Sequence, residues 1–410
     1  MFLSGRRRSR YRSAIGCLAA CAALSLVIGA CGDDGGDDAA AGGGISSTPA
    51  LTGSPIRIGN VGLYSGAFGP QNQRGVDALV TWSKWVNANG GINGHPVEVI
   101  VKDDQGDPTK SIAAVRELVE QKKVIALVGN FAGATDGAWR DYVEEKQIPV
   151  IGGVTTTAQY GKSPMFFAAS ANSLGYLTGQ LYGAKLAGAS KVGMVVCAEQ
   201  AACAEANGLM SQISASVGIE SAGVQTAAAA APNYISQCIA MRNSGVDAVV
   251  TNVPAQVTER LIKDCSTQRY EPIYIFSGGV FQENLIQPES EGSWVVSGAP
   301  LWFGDEPYLN DFKAALEQYT DNEPDGFASR GWQADLFFAA AAKNVSANPT
   351  SAEILEGLYA LSGQPLGEWS PPLSFTRGEP NSVGACNWYA QIVDGKLTTP
   401  KGYDPICIEE

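Results

Sequence analysis

The chain has 410 residues, of which 45% are hydrophobic and 17% are charged, and its formal net charge is −13 at pH 7. A chain of this length usually exceeds one hydrophobic core, so we expect two lobes. The acidic balance argues against a nucleic acid or an anionic membrane surface as a partner, because either would favour a basic face.

The first 30 residues have the pattern of an export signal. Five arginines precede an apolar stretch over residues 14–30, and the sequence IGAC ends it at Cys31 as a lipobox does. A transmembrane anchor is the alternative, but the stretch is short for one. We expect cleavage before Cys31, which moves the net charge from −13 to −18 because five arginines leave. A lipid on the Cys31 sulfur would then hold the protein outside the cytoplasmic membrane by that anchor alone.

Residues 31–54 are rich in Gly, Ala, Asp and Ser and lack the bulky apolar residues that a core needs. This composition predicts a flexible tether between the lipidated cysteine and the folded protein. The folded part is expected to begin at residue 55.

The first third of the folded part predicts a βαβαβ unit. Apolar residues begin at Ile56 as in a strand and then recur at helical spacing, and the pair Gly90-Gly91 suits the end of that helix. Asp107 before Pro108 predicts the start of a second helix. The predicted elements are a strand from residue 56, a helix over 76–86, a strand over 97–101, a helix from 108 and a strand over 124–128.

The alternation of strands and helices restarts after Ala171. Two such sets predict an α/β fold with two doubly wound, Rossmann-like lobes. The second set has predicted strands at 191–197, 247–253 and 272–279 and helices at 204–217, 235–243 and 258–264, and three further helices follow at 308–319, 327–343 and 351–361.

Six cysteines remain when the two in the signal and the lipidated one are set aside. An even number in an exported domain favours disulfides, with fifteen possible connectivities, and free buried thiols are the alternative. A zinc site is disfavoured, because no CxxC pair occurs and the only histidine, His95, is far from these cysteines in sequence. We favour pairs that each flank one local unit: Cys197 with Cys203, Cys238 with Cys265, and Cys386 with Cys407.

Three loops of the first lobe are candidates for ligand binding. Open parallel sheets bind ligands beyond the carboxyl ends of their strands, where backbone N–H groups at helix starts are free. The loops are residues 64–68, which include Ser65 and Phe68, residues 129–135, whose small side chains allow close approach, and residues 152–157, which offer hydroxyls and amides.

Three segments carry a resemblance to a known family: IRIGNVGLYSG, NANGGINGHPVEVIVKDDQGDP and VIALVG. In this order and spacing they are similar to the start of the periplasmic leucine/isoleucine/valine-binding proteins. Those are the type I solute-binding proteins of branched-chain amino acid-type ABC importers, here in the style of an actinobacterial lipoprotein. The resemblance covers residues 56 to about 400 and is strongest in the first third. It implies a three-crossing hinge, with lobe I formed by residues 55–171 plus 300–375 and lobe II by residues 172–299 plus 376–410.

The resemblance also implies a set of ligand-binding residues. In the resembled amino-acid binders the second and third loops hold the ligand carboxylate and part of its ammonium, and these positions correspond to Ala134, Thr135, Val154 and Thr156. Phe327 falls where those proteins place an aromatic ring against the ligand. The alternative is structural, with the threonines capping helices and Phe327 in the core.

The second lobe departs from the family pattern. Amino-acid binders place a carboxylate after the strand that here reads PIYIFSGGV, because a buried ammonium needs a paired anion. Residues 278–280 are Gly-Gly-Val instead, and the nearest acid is Glu283. We therefore expect a small organic carboxylate, amide or aromatic acid in preference to an α-amino acid. The possible apolar walls of the pocket are Phe68, Phe281, Trp302, Phe327 and Trp332.

The resemblance implies a solute-binding protein that closes around its ligand and passes it to a membrane permease and, through it, to ATPase subunits. A ligand-sensing receptor component and a true branched-chain amino acid binder are the alternatives. Catalysis is disfavoured, because the sequence has one histidine and no GxSxG, HExxH or GxxxxGK[ST] motif. Asp103 and Asp104 could pass for a metal site, but a solvated turn is favoured. We expect no catalytic residue, no cofactor and no metal.

Overall fold

The computed structural model describes residues 51–66, 68–199, 201–380 and 384–408, with the backbone alone at residue 134 and residues 201–207. The predicted signal over residues 1–30, the lipidated Cys31 and all but the end of the tether over residues 31–54 lie outside the described residues. Within the described part of the chain, no helix is both long enough and apolar enough to span a membrane.

A first sheet holds five parallel strands in the order β2-β1-β3-β4-β5. The strands are β1 Ile56–Gly62, β2 Val97–Asp103, β3 Ala126–Asn130, β4 Val150–Gly153 and β5 Phe166–Phe167. β3 and β4 are buried at every position, as expected for central parallel strands with helices on both faces. The apolar runs that predicted β1 and β3 therefore lie in the core of this half of the molecule, whereas β2 is only partly buried.

A second sheet repeats that strand order. Its strands are β6 Lys191–Cys197, β7 Glu220–Ala227, β8 Ala248–Asn252, β9 Ile273–Ser277, β10 Trp294–Ser297, β11 Ala385–Val393, β12 Lys396–Thr398 and β13 Ile406–Ile408. The parallel part runs β7-β6-β8-β9-β10, β11 is antiparallel beside β10, and both β12 and β13 pair with β11. The repeated order is that of two doubly wound units, which confirms the predicted fold class.

Ten helices cover the two sheets in the described residues. They are α1 Gly69–Ala88, α2 Pro108–Arg116, α3 Arg140–Lys146, α4 Ser173–Leu186, α5 Ala201–Val217, α6 Ile235–Asn243, α7 Ala255–Thr267, α8 Asn310–Tyr319, α9 Gly326–Ala342 and α10 Ser351–Ala360. The predicted end signals are present. The Asp107 carboxylate accepts hydrogen bonds from the backbone N–H groups of Thr109 and Lys110, and Gly90 and Gly91 after α1 have φ values of 98° and 68°.

The chain crosses between the two sheets three times: after β5, after β10 and before β11. α8 and α9 pack on α1, α9 also covers β3 and β4, and α10 packs on α9. β11 then pairs with β10 in the second sheet. The three late helices therefore pack with elements of the first sheet, and the last strands belong to the second.

Two disulfides join neighbouring elements of the second half. Cys238 on α6 bonds to Cys265 on α7, and Cys386 on β11 bonds to Cys407 on β13. These are two of the three pairs that the sequence favoured. Cys197 is also disulfide-bonded, and its expected partner, Cys203, lies outside the described side chains.

Candidate ligand-binding site

A cavity of about 800 Å³ lies between the two sheets, at the carboxyl ends of their strands. Loops after β1, β3 and β4 line it from the first sheet, and the ends of β6, β8 and β9 line it from the second. The first two turns of α4, the first turn of α9, the loop after β2, the starts of α1 and α2 and one residue of α5 also line it. Parallel sheets bind ligands at this edge, and the volume suits a small organic molecule.

Six of the seven predicted ligand-binding residues line this cavity: Ser65, Phe68, Thr135, Val154, Thr156 and Phe327. The side chain of the seventh, Ala134, is outside the described side chains, and its backbone belongs to a short 3₁₀ turn over Gly133–Ala138. The cavity therefore brings the three predicted loops together. Their contact with a ligand stays a prediction.

The loop after β3 is held by internal hydrogen bonds. The Thr135 hydroxyl donates to the Asp104 carboxylate at 2.6 Å, and Asp104 also accepts the backbone N–H of Gly106 at 2.8 Å. Asp104 is fully buried, so the expectation of a solvated turn is wrong for this residue. The Val154 N–H is likewise bonded to the Asn130 carbonyl oxygen at 2.9 Å. These two donors are already used by the protein itself.

Thr156 differs from its neighbours in the loop after β4. The Thr155 hydroxyl donates to the Ala171 carbonyl oxygen at 2.9 Å, and the Thr157 hydroxyl donates to the Asp136 carboxylate. Thr156 is half-buried and lines the cavity, and neither its hydroxyl nor its backbone N–H has a hydrogen-bond partner among the described residues. It is therefore the residue of this loop with free donors.

Asp136 connects the loops after β3 and β4, because it accepts the Thr157 hydroxyl. Burial raises the pKa of the Asp136 carboxyl to about 7, against the opposing effect of the hydrogen bonds from Thr157 and from the Gly137 N–H. The connection between the two loops is therefore sensitive to pH near neutrality.

Aromatic rings form one wall of the cavity. Phe327 packs against Phe131 with ring centroids 5.5 Å apart, and Phe68 is half-buried beside the first loop. The other three predicted walls are wrong. Phe281 and Trp302 line a separate cavity, and Trp332 is buried in the core beside Trp85.

The second sheet and α4 supply a neutral polar wall that the sequence did not predict. The Tyr176 hydroxyl on α4 donates to the Val296 carbonyl oxygen at 2.9 Å and lies 2.7 Å from the Ser277 hydroxyl. Gln180 and Asn252 exchange amide hydrogen bonds of 2.8 and 2.9 Å. These groups satisfy one another, so they shape the cavity without adding charge.

The described lining contains one acid, Glu199, and it is exposed. Its two oxygens accept the backbone N–H groups of Ala198 at 3.1 Å and Ala229 at 2.6 Å. Glu283, the acid closest in sequence to the loop after β9, lines the separate cavity instead. A buried carboxylate for a ligand ammonium is therefore absent from the described lining.

Arg330 is the one cation of the described lining, and no sequence motif marks it as a site residue. It lies on α9, one turn after Phe327, and is only 6% exposed. Its Nε has no hydrogen-bond partner, and burial lowers the pKa of its guanidinium. The signal was an arginine inside the otherwise weakly polar stretch GFASRGW.

His95 is remote from the cavity lining. It is buried, and its Nδ1 lies 2.7 Å from the Ser54 carbonyl oxygen. Among the described residues, no group of three or more His, Cys, Asp or Glu side chains is placed to hold a metal ion.

Two repeated parallel sheets that face one cavity, linked by three crossings, define a binding protein of the type I periplasmic kind. The family model described as periplasmic binding protein matches residues 55–396, so the chain belongs to that family.

Individual relatives and solved structures agree with this assignment. The chain is 26% identical over 312 residues to an amino acid binding protein of Pseudomonas aeruginosa, covering 74% of this chain and 81% of the relative. Its fold is similar to that of the branched-chain amino acid transporter substrate-binding protein LivJ from Streptococcus pneumoniae, solved with isoleucine. That match has a TM-score of 0.68 and 18% identity and covers 86% of this chain and 100% of LivJ. A solute-binding protein of an ABC transporter from R. palustris, solved with benzoate, matches with a TM-score of 0.68 and 20% identity, over 87% of this chain and 98% of that chain.

Proposed function

We propose that the protein is the extracytoplasmic solute-binding lipoprotein of an ABC importer. It is anchored at the cell membrane through a lipid on Cys31 and passes its solute to other proteins. A membrane permease takes the solute from it, and ATPase subunits bound to that permease drive the transfer. No nucleic acid, cofactor or catalytic step belongs to this function.

The observation that carries the proposal is the cavity between the carboxyl ends of two parallel sheets, lined by loops from both. A ligand seated there contacts both halves of the molecule, so its binding energy favours the state in which they close on it. The closing bodies are lobe I, residues 55–171 plus 300–375, and lobe II, residues 172–299 plus 376–410.

The solute is a small organic carboxylate, amide or aromatic acid in preference to an α-amino acid. An ammonium taken out of water needs a nearby anion, and the single acid of the described lining, Glu199, is exposed and bonded to backbone N–H groups. Aromatic rings and free donors line the same space. The ligand contacts proposed on the first sheet are Ser65, Phe68, Ala134, Thr135, Val154 and Thr156, with Phe327 from α9.

A branched-chain amino acid is the second candidate solute. The Pseudomonas aeruginosa relative is described as an amino acid binding protein, and LivJ was solved with isoleucine. This candidate requires a partner for the ligand ammonium, and Glu199 at the cavity is the available acid.

A thermal-shift screen of the exported, lipid-anchored protein in detergent tests the proposal. Branched-chain and aromatic amino acids are compared with small carboxylates, amides and aromatic acids. A solute at a hundred times its Kd adds about 2.7 kcal/mol of stability, which raises Tm by several degrees. Stabilisation by a solute without an amine supports the proposed class, and stabilisation by leucine or isoleucine alone supports the second candidate. A flat response to every small solute contradicts a solute-binding role.

A further inference from the structure

We propose that Arg330 is the anion-recognition residue of this cavity and that it fixes the solute as an organic carboxylate without an amine. This inference rests on the proposed function and goes further. It assigns the solute carboxylate to a side chain on α9, between the two sheets, and not to the loops after β3 and β4.

The first reason is that Arg330 is buried without an anion. It is 6% exposed and its Nε lacks a hydrogen-bond partner. No carboxylate among the described residues forms an ion pair with it. Removing an ion from water without a partner costs free energy, so the charged Arg330 side chain destabilises the unliganded protein. A carboxylate that enters with the solute supplies the missing partner.

The second reason is the accessibility of the guanidinium from the cavity. A Cβ atom built on Gly279, in the loop after β9, would lie 3.8 Å from Arg330 Nη2, and one built on Gly298, after β10, would lie 3.5 Å from it. Because neither position has a side chain, only backbone atoms of these two glycines lie beside the guanidinium. Gly279 lines the same cavity as Arg330. The planar fork of an arginine binds a carboxylate through two parallel hydrogen bonds.

The third reason is the sign of the charge. Arg330 is buried, whereas the single acid of the described lining, Glu199, is exposed and accepts two backbone N–H groups. An α-amino acid would therefore find a partner for its carboxylate and none of comparable burial for its ammonium. A solute without an amine carries only the carboxylate, and Arg330 supplies the ion-pair partner for that group.

The body of the solute follows from the position of Arg330 on its helix. Phe327 precedes it by three residues, so the two side chains are neighbours on one face of α9. Phe327 packs on Phe131, and both rings line the cavity. A carboxylate on Arg330 thus has an apolar surface beside it, which fits an aryl or short alkyl carboxylate such as benzoate or hexanoate.

The test compares the binding of acids and of their own amides to the exported, lipid-anchored protein. Benzoate is paired with benzamide and hexanoate with hexanamide, and leucine is included; binding is measured by titration calorimetry. In the native chain we expect at least one acid to bind about tenfold or more tightly than its amide. Arg330→Gln should weaken that acid by about 10- to 100-fold and abolish its advantage over the amide. Arg330→Lys, which keeps the charge and loses the fork, should be intermediate.

A matched control and a folding readout make these results interpretable. Arg140→Gln removes an arginine that pairs with Asp141 and Glu144 outside the cavity, and it should leave the affinity unchanged. The unliganded Arg330→Gln protein should melt at or above the temperature of the native chain, because an unpaired buried charge is gone. If Arg330→Gln does not fold, the acid and amide comparison in the native chain and the Arg330→Lys affinity still decide.

Three outcomes overturn the inference. The acid and its amide bind equally, or Arg330→Gln binds the acid as the native chain does, or leucine binds and the acids do not. In each of these the protein still binds a small solute, so the proposed function survives. Failure of acids, amides and amino acids alike removes the proposed function and this inference with it.

Discussion

Thr135 and Thr156 are the same residue type in the same cavity, yet only the Thr135 hydroxyl has a hydrogen-bond partner among the described residues. The Thr135 hydroxyl is bonded to a buried carboxylate, Asp104, at 2.6 Å. The Thr156 hydroxyl has no partner among the described residues. The Thr135 hydroxyl has one proton, which it donates to Asp104, so it must lose that bond to donate to a ligand, and Thr156 is the better candidate for direct contact.

We expect Thr156→Val to weaken binding of the solute by roughly 1 to 3 kcal/mol and to leave the free energy of unfolding nearly unchanged. Titration calorimetry and urea unfolding measure the two quantities. Thr155→Val is the matched control, since the Thr155 hydroxyl is bonded to the Ala171 carbonyl oxygen within the protein. That variant should lose stability and keep its affinity. An unchanged affinity in Thr156→Val would refute the assignment of Thr156 to the ligand.

The pKa of Asp136 leads to a prediction about pH. Burial raises it to about 7, so the folded state holds a proton that the unfolded state, with an aspartate pKa of about 3.9, releases at lower pH. The folded state therefore binds more protons between about pH 4 and 7, and stability falls as pH rises through that window. The loss from this group is at most about 4 kcal/mol. Burial raises the pKa of Asp335 as well, so it contributes with the same sign.

Asp136→Asn isolates the contribution of that residue. Its free energy of unfolding should change less between pH 5 and 8 than that of the native chain, because one of the coupled protons is gone. Urea unfolding at both pH values gives the difference. Identical pH dependence in the native chain and Asp136→Asn would refute the raised pKa.

At the scale of elements, α1, the helix that follows β1, packs against α9, the helix that carries Phe327 and Arg330. A Cβ atom on Gly331 would overlap the carbonyl oxygen of Gly75 on α1. The glycine thus permits the backbones to approach closely. Because backbone atoms cannot move aside as a flexible side chain can, larger residues at this position must separate the two helices.

We expect Gly331→Ala to destabilise the protein by about 1 to 3 kcal/mol through overpacking, despite the better helix propensity of alanine. Gly208→Ala on α5 is the matched control, because outside the backbone of its own helix no atom of the described residues lies within 4 Å of its added Cβ. The control should be neutral or stabilise by up to about 1 kcal/mol. Urea unfolding compares the two. Equal stability of the two variants would show that α1 and α9 have room for a side chain.

The sequence predicted the elements whose signals are local and missed those that depend on packing. Asp107 and Pro108 identified the start of α2, and the prediction is confirmed by the Asp107 cap. α4 was missed, because its glycines lower helix propensity and its apolar residues occur all round. Those glycines allow contact with the second sheet, where a Cβ on Gly179 would overlap the Asn387 side chain. β7 was missed because most of its residues are only half-buried, so it lacks an apolar run.

The residues of the candidate site also fall into those that the sequence could predict and those that depend on packing. The loops after β1, β3 and β4 follow from strand order, so Ser65, Thr135 and Thr156 could be predicted from the sequence to lie at one edge. Arg330 could not, because arginines on helices are usually exposed, and its burial at the cavity becomes visible only in the folded molecule. Phe281 and Trp302 were assigned to the wrong cavity. Both follow strand ends, and the sequence does not show which cavity an aromatic residue at such a position faces.

At the scale of the whole molecule, the proposed function requires the two sheets to move relative to each other. Three crossings of the chain join them, and the cavity takes its walls from both sides. A ligand can favour the closed state only by binding it more tightly than the open state, and contacts from both halves supply that difference. A solute that touched one half alone would bind without closing the molecule.

We therefore expect the radius of gyration, measured by X-ray scattering on the detergent-free protein released from its lipid anchor, to fall when a stabilising solute saturates it. Thr156→Val should reach the same smaller radius, but at a higher solute concentration, because the variant weakens binding without altering the closed state. Arg330→Gln should close less completely at saturation if the guanidinium and the solute together draw the loops after β9 and β10 toward α9. A radius that stays constant at saturation would leave solute binding intact and refute closure as its consequence.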